Sequence, residues 1–444
     1  MSERLAYIDQ ATYLSWHATG RAQLVQYVWV YTHAVDMEGL RALHRNLGYG
    51  FAGRLIERSA LPFGRHRWVG SGGPAAPLDV AEVRPPGQLG AWIEERSQLR
   101  VDPVDGPGWH LGALPMTDGT TAVTLVASHC LLDHGASVRT VIDAIDGTRR
   151  DFGLPPPRSR TRRQALGDDA RQLLHDLPDL GRTITTGVKF AVRSRRDPSS
   201  AGAGRRPVPP VRGLDGPVVL PAVSAIVDVR DWDARATELG GTGPSLLAGF
   251  GALLGERLGR AHPSDGKVTL LIAMSDRGGD DDRRGNAMKI ASATVDPSPV
   301  TTDLTAARSA VREVLTKLRT GPDDKHALLP ITPFVPARAV RRAADLIFGD
   351  LPVSCSNLGD VPAEMAYADG TPAEFILFRP IDQGVTRHAL ERAGGQLVVA
   401  AGRVAGNMSI GVVGYEVGAE NTREWLADKL VRTLTDFGLK GTII

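Results

Sequence analysis

Residues 128–137, SHCLLDHGAS, put His129, Cys130, Asp133 and His134 within six consecutive positions. An imidazole ordinarily titrates near ~6.5, so a neutral histidine can take a proton from a hydroxyl or an amine near neutral pH. Placed beside a thioester carbonyl, His129 would serve as the general base that activates the attacking group. Asp133, four residues on, can fix the loop by hydrogen bonds or pair with an arginine. Taken alone, the pattern also fits a histidine satisfied inside a core. Cys130 sits beside His129, and strand alternation would turn it to the opposite face, which favours a buried structural thiol over a nucleophile.

The elements around this segment decide whether the histidine is presented. Residues 121–130, TAVTLVASHC, are almost uniformly apolar and predict a strand covered on both faces that ends at His129. Residues 136–146 carry the apolar repeat of a helix, so His129 should lie on a short strand-to-helix connection, where open sheets place ligands. A partner strand is expected over 109–116, joined through the hairpin turn 117–120. Further upstream, strands are expected over 24–32 and 65–69, and helices over 36–50 and 88–100. Asp36 is placed to cap the first of these helices, and Leu40, Leu43 and Leu47 share one of its faces.

Beyond 166–190, which reads as helical, the Pro-, Gly- and Arg-rich stretch 191–215 predicts a linker between an N-terminal lobe, 1–190, and a C-terminal lobe, 216–444. Its arginines, with those of 158–163, suit a solvated linker or a docking patch for phosphate or an acidic partner. The second half alternates strands (223–229, 267–274, 287–296, 351–359, 374–378, 396–404, 408–415) with helices near 230–240, 244–259, 303–319 and 421–437. This predicts an α/β (α+β) protein of two lobes, each a mixed sheet flanked by helices, as 444 residues require.

Composition excludes several classes. Fifty-two Lys and Arg against 50 Asp and Glu leave a charge of +2, too little for a dedicated nucleic-acid binder. Two cysteines, Cys130 and Cys355, are too few for a disulfide framework or a cysteine metal site and suit a reducing cytoplasm. His17, His110 and His134 have no acidic or cysteine partner at ligand spacing from His129, so no metal is expected. Neither a phosphate-binding GxxxxGK[ST] loop nor a GxSxG elbow occurs. The N-terminal residues lack an export signal, and no apolar run approaches the ~18 residues of a membrane span, which leaves peripheral membrane contact open.

The segment 121–137 resembles the HHxxxDG signature of the chloramphenicol-acetyltransferase and condensation-domain superfamily. Its closest likeness is to the wax ester synthase/diacylglycerol acyltransferase and polyketide-associated acyltransferase branches. His129 matches the second, catalytic histidine and Asp133 the structural aspartate. Ser128 replaces the first histidine and His134 the glycine, with Gly135 expected to take over the glycine's backbone role. A leading YIDQATYLSW, the stretch DPVDGPGWHLGAL, VTLLIAMSDR followed by Gly285 and Asn286, and 354–362, SCSNLGDVP, extend the likeness over nearly the whole chain.

The resemblance implies two lobes forming a V, with His129 in a tunnel between them, and a cytoplasmic monomer. It implies transfer of an acyl group from coenzyme A or an acyl-phosphopantetheinyl carrier protein to a small-molecule hydroxyl, in lipid or natural-product biosynthesis, with no bound cofactor. Amide formation on an amine acceptor and a degenerate domain that only recruits a partner remain open. Ser356 and Asn357 would help hold the oxyanion or merely end a strand. Arg277 and Asn286 match family positions on a loop that is otherwise rich in solvated charges, and His134 and Gly135 stand beside the base.

Overall fold

The computed structural model describes residues 3–196, 216–279, 281–321, 326–336 and 351–444. Within the first half run α1 (Tyr7–Thr19), β1 (Ala22–Tyr31), α2 (Met37–Leu47), β2 (Arg54–Glu57), β3 (Arg67–Gly70), β4 (Asp79–Val80), α3 (Leu89–Ser97), β5 (Trp109–Pro115), β6 (Thr121–Ser128), α4 (His134–Ile145) and α5 (Arg162–Arg196). The second half holds β7 (Ala222–Asp228), α6 (Val229–Glu238), α7 (Gly243–Arg257), β8 (Val268–Ser275), β9 (Met288–Val295), α8 (Thr305–Thr320), β10 (Val353–Asp360), β11 (Phe375–Gln383), α9 (Arg387–Ala393), β12 (Gln396–Val404), β13 (Asn407–Tyr415), α10 (Arg423–Asp436) and β14 (Thr442–Ile443).

Two mixed sheets, each with helices packed on it, organise these elements. The first has the order β11-β1-β6-β5-β4, the second β14-β7-β13-β12-β10-β8-β9, and β2 and β3 form a separate hairpin. All eight residues of β6 are buried, as its apolar run requires. Val123, Leu125 and Ala127 pack with Leu40 and Leu43 of α2 and Ala136 and Val141 of α4, while Ala122 meets Trp92 and Ile93 of α3 on the other face. Asp36 caps α2 by accepting from the Glu38 N–H at 2.9 Å.

Two features tie the halves together. Strand β11 belongs by sequence to the second half, yet it pairs with β1 at the edge of the first sheet. It runs on to Gln383 through Pro380, beyond the five residues expected, because an edge strand tolerates a residue without an N–H. Phe378 of β11 donates its N–H to Ser409 Oγ of β13 at 3.0 Å, so the same strand touches the second sheet. The other tie is the loop between β8 and β9, which reaches back to the turn after β6.

Helix α5 continues to Arg196, so the first residues of the expected linker are helical, and the rest of that linker lies outside the described residues. Among the described residues, no helix is long and apolar enough to cross a membrane.

Candidate functional site

Strand β6 stops at Ser128, one residue earlier than expected. The Ser128 carbonyl accepts the Leu131 N–H at 3.0 Å, and its hydroxyl accepts the Cys130 N–H at 3.2 Å. The chain therefore turns at His129, whose own N–H is held by Gln23 O at 3.0 Å. Ser128 thus has a local task in the turn that a histidine would not perform in this way. Strand alternation no longer governs Cys130. Its side chain nonetheless lies in the first core, where burial pushes the thiol pKa up to about 12, so it stays protonated and unreactive.

His129 is half-buried, and Nδ1 lies 2.8 Å from Asn286 Oδ1. The amide of Asn286 has its orientation fixed independently. Its Nδ2 donates to the His129 carbonyl at 3.0 Å and to Asp9 Oδ1 at 3.2 Å. An oxygen facing Nδ1 requires that nitrogen to carry the proton in the neutral ring, which leaves the lone pair on Nε2. The ring is thereby held in the tautomer a base needs.

Behind Asn286 lies a network that the sequence did not single out. Asp9, on the inner face of α1, is fully buried. It accepts from Asn286 N at 2.7 Å and Gly285 N at 3.0 Å in addition to the Asn286 amide. Burial raises its carboxyl pKa, opposed by the positive charge of Arg54 and by these donors. Arg54, also buried, donates to Leu131 O at 2.6 Å and Arg283 O at 2.7 Å, and its guanidinium stacks 3.8 Å from the Trp68 ring centre. Gly285 is required by close approach. A Cβ there would lie 2.7 Å from Leu131 O and 2.9 Å from Arg54 Nη2.

Asp133 does not touch the imidazole. Its oxygens accept from Ala136 N, capping α4, from Arg277 Nη2 and from Ala287 N, all at 2.8 Å. The Asp133 N–H in turn donates to Gly285 O at 2.8 Å. Arg277 also donates to the carbonyls of Asp282 and Arg284, at 3.2 and 3.0 Å. Far from being a solvated tail, this loop is clamped to the histidine turn, and Asp133 is the clamp.

His134 is the first residue of α4. Neither it nor Gly135 has a positive φ, so the position demands no glycine and Gly135 inherits no special backbone role, contrary to expectation. The His134 ring packs edge-on to Phe378 at 5.7 Å between centres, and Nδ1 lies 3.1 Å from the Tyr27 hydroxyl. Burial, with the neighbouring His129, lowers its pKa to about 4. Buried His66 and His110 are likewise lowered to about 4. Above pH ~6.5 these rings are neutral in both folded and unfolded chains; between 6.5 and 4 the unfolded chain takes up protons that the folded one refuses. Stability should therefore fall as the pH drops through that window, by at most about 3 kcal/mol per histidine. Thermal melts from pH 7.5 to 4.5 check this, and His134→Gln should flatten the slope.

Ser356 and Asn357 make no hydrogen bond to this cluster among the described residues. Ser356 pairs in register with Ala400 and Ala273. Asn357 is exposed, and its Oδ1 accepts the Gly359 N–H at 3.0 Å, which matches a strand-ending turn. Among the described residues no hydrogen bond joins either to His129, whereas Asn286 is bonded to His129 itself and Arg277 and Gly285 are bonded to Asp133 of the same turn.

No family model matches the sequence, and no curated protein does. Solved structures do. The chain is similar to the first condensation domain of the CDA synthetase, at 15% identity over 98% of this chain and 96% of that one, with a TM-score of 0.55. It is similar to the wax ester synthase/diacylglycerol acyltransferase from Marinobacter aquaeolei VT8, at 12% identity over 98% and 100% of the two chains, TM-score 0.53. The same holds for polyketide synthase associated protein 5 from Mycobacterium tuberculosis, at 15% identity over 98% of each chain, TM-score 0.53. The fold of this chain is thus the one shared by condensation domains, wax ester synthase/diacylglycerol acyltransferase and polyketide synthase associated protein 5.

Proposed function

We propose that the protein is an acyltransferase that moves an acyl group from a coenzyme A or carrier-protein thioester to a hydroxyl acceptor. The observation that carries this reading is the bond from His129 Nδ1 to Asn286 Oδ1, which leaves Nε2 as the proton acceptor. Nε2 takes the hydroxyl proton as the oxygen attacks the thioester carbon. The tetrahedral adduct then expels the thiolate, which recovers the proton from the imidazolium, so the cycle leaves an ester, a free thiol and a neutral histidine. No covalent enzyme intermediate is needed, consistent with a buried Cys130. Asp133 keeps the loop closed by its bonds to Ala287 and Arg277 and does not relay charge to the ring.

The same base would serve an amine acceptor and give an amide. Incubation of the protein with a panel of acyl thioesters and of alcohols and amines, read by intact mass and thiol release, tests the proposal. Acylated alcohol with equimolar free thiol is expected. A folded protein that forms no product from any donor, yet binds a carrier protein, would point instead to a recruiting domain.

Asn286 acts on the reaction through the ring it orients. Asn286→Ala is expected to lower kcat by roughly 10- to 100-fold with the thioester KM nearly unchanged, because a freed imidazole samples unproductive orientations. Steady-state kinetics check this, and a wild-type kcat would remove Asn286 from the account.

A further inference from the structure

The arginines of residues 158–163 have no task in the histidine turn, and one of them, Arg160, lines a hollow at the start of α5. Glu3 and Arg4 of the N-terminal stretch, Arg67 of β3, Arg160 of the connection, and Asp168 and Arg171 of α5 wall this hollow, whose volume is about 410 Å³. Arg4 meets Asp169 at 2.8 Å, and Arg67 meets Glu57 at 2.7 Å and Glu3 at 3.3 Å. Arg160 donates to Asp169 at 2.9 Å and lies 3.5 Å from Glu57. Its Nε–H is buried and has no acceptor, so the network is short of anionic oxygen at the guanidinium that lies deepest in the connection.

The carboxylates around these arginines are of two kinds. Asp169 and Glu57 form the back of the hollow and are held there by hydrogen bonds from Ser59 and from the Arg158 N–H, both at 2.7 Å. Glu3 and Asp168 stand at the rim, their side chains 45% and 43% exposed, and can turn to water. Arg171 is 82% exposed and meets only Asp168, in an i,i+3 pair that holds a guanidinium weakly. Once the rim carboxylates turn outward, the four lining arginines face two fixed carboxylates, which leaves a cationic excess of two. Arg158, Arg162 and Arg163, beside Arg160 in sequence, are exposed and form no ion pair among the described residues, which adds to that excess.

We propose that this hollow binds the phosphate group of a small-molecule phosphate monoester, at a site separate from the histidine turn. A phosphate monoester carries close to two negative charges near neutral pH, which matches the excess, and guanidinium forks bind its oxygens in pairs. A concave hollow of this volume suits a small molecule, whereas an acidic protein partner would call for a broad flat surface. Among the described residues none of the lining side chains bonds to the His129 turn, so the inference stands independently of the reaction proposed above.

Isothermal titration of the full chain with adenosine monophosphate, adenosine and inorganic phosphate tests it. The monophosphate should bind saturably, more weakly as salt is raised, and inorganic phosphate should compete with it, while adenosine should bind at least roughly tenfold more weakly. Arg171→Ala should weaken the monophosphate by roughly tenfold with an unchanged melting temperature, because that side chain is exposed. Glu3→Gln with Asp168→Asn should tighten it by roughly two- to fivefold, since the rim carboxylates no longer compete for the arginines. A purely structural ion-pair network predicts the reverse pattern: no saturable binding in the wild type, and a lowered melting temperature as the sole effect of the rim variant. That pattern overturns the proposal. So does equal binding of adenosine and its monophosphate, or retention on heparin without saturable binding of the monophosphate, which would mark a diffuse charged surface.

Discussion

Replacing Asp9 by alanine is expected to lower stability by about 3–5 kcal/mol, read as a fall in melting temperature of roughly 10 °C. The carboxylate accepts three N–H groups from Gly285 and Asn286, and none of these donors reaches water once it is gone. The charge of buried Arg54 loses the larger of the two anionic influences that offset it, keeping that of Asp133. A buried, under-compensated charge together with orphaned donors belongs among the costliest single changes. Asp9→Asn should recover little, since its amide nitrogen would face an N–H group where the carboxylate had presented an acceptor. The same variants should lose transfer activity beyond what stability explains, because Asn286 would no longer hold the His129 ring.

Replacing His129 by alanine should have the opposite profile. The side chain is half-buried and contributes one hydrogen bond, so its loss should cost about 1 kcal/mol of stability. Transfer, by contrast, should fall by roughly 10²- to 10⁴-fold, the usual contribution of a positioned base. Asp133→Ala should separate the two effects. It removes the helix cap, the ion pair with Arg277 and the bond to Ala287, so it should lower stability as well as activity. A variant that loses turnover and keeps its melting temperature thus identifies the chemistry, while one that loses both identifies the clamp.

The histidine turn was legible because its neighbours obey local rules. The apolar run of residues 121–130 predicts a strand covered on both faces and the repeat of 136–146 a helix, and β6 and α4 stand there. Ser128 and His134 showed as departures from a familiar pattern. What they do did not show: the Ser128 hydroxyl closes the turn, and His134 packs on Phe378, more than two hundred residues away. Asp9 and Arg54 went unnoticed for the same physical reason. Asp9 meets Gly285 across 276 positions, and no periodicity encodes a contact at that separation. The available signal is a single charged residue, Asp9, within YIDQATYLSW, a segment whose other residues are apolar, aromatic or uncharged. Strand β11 runs past the expected 374–378 through Pro380, and its place at a sheet edge removes the penalty of a residue without an N–H.

In the proposed reaction His129 Nε2 takes the acceptor proton. The measurement closest to that claim is single-turnover transfer from a defined acyl thioester to an alcohol, followed by intact mass for wild type and His129→Ala at matched melting temperature. Ester and thiol appearing together in the wild type, with the alanine variant slower by at least a hundredfold, is the predicted result. Equal rates in the two proteins would contradict it.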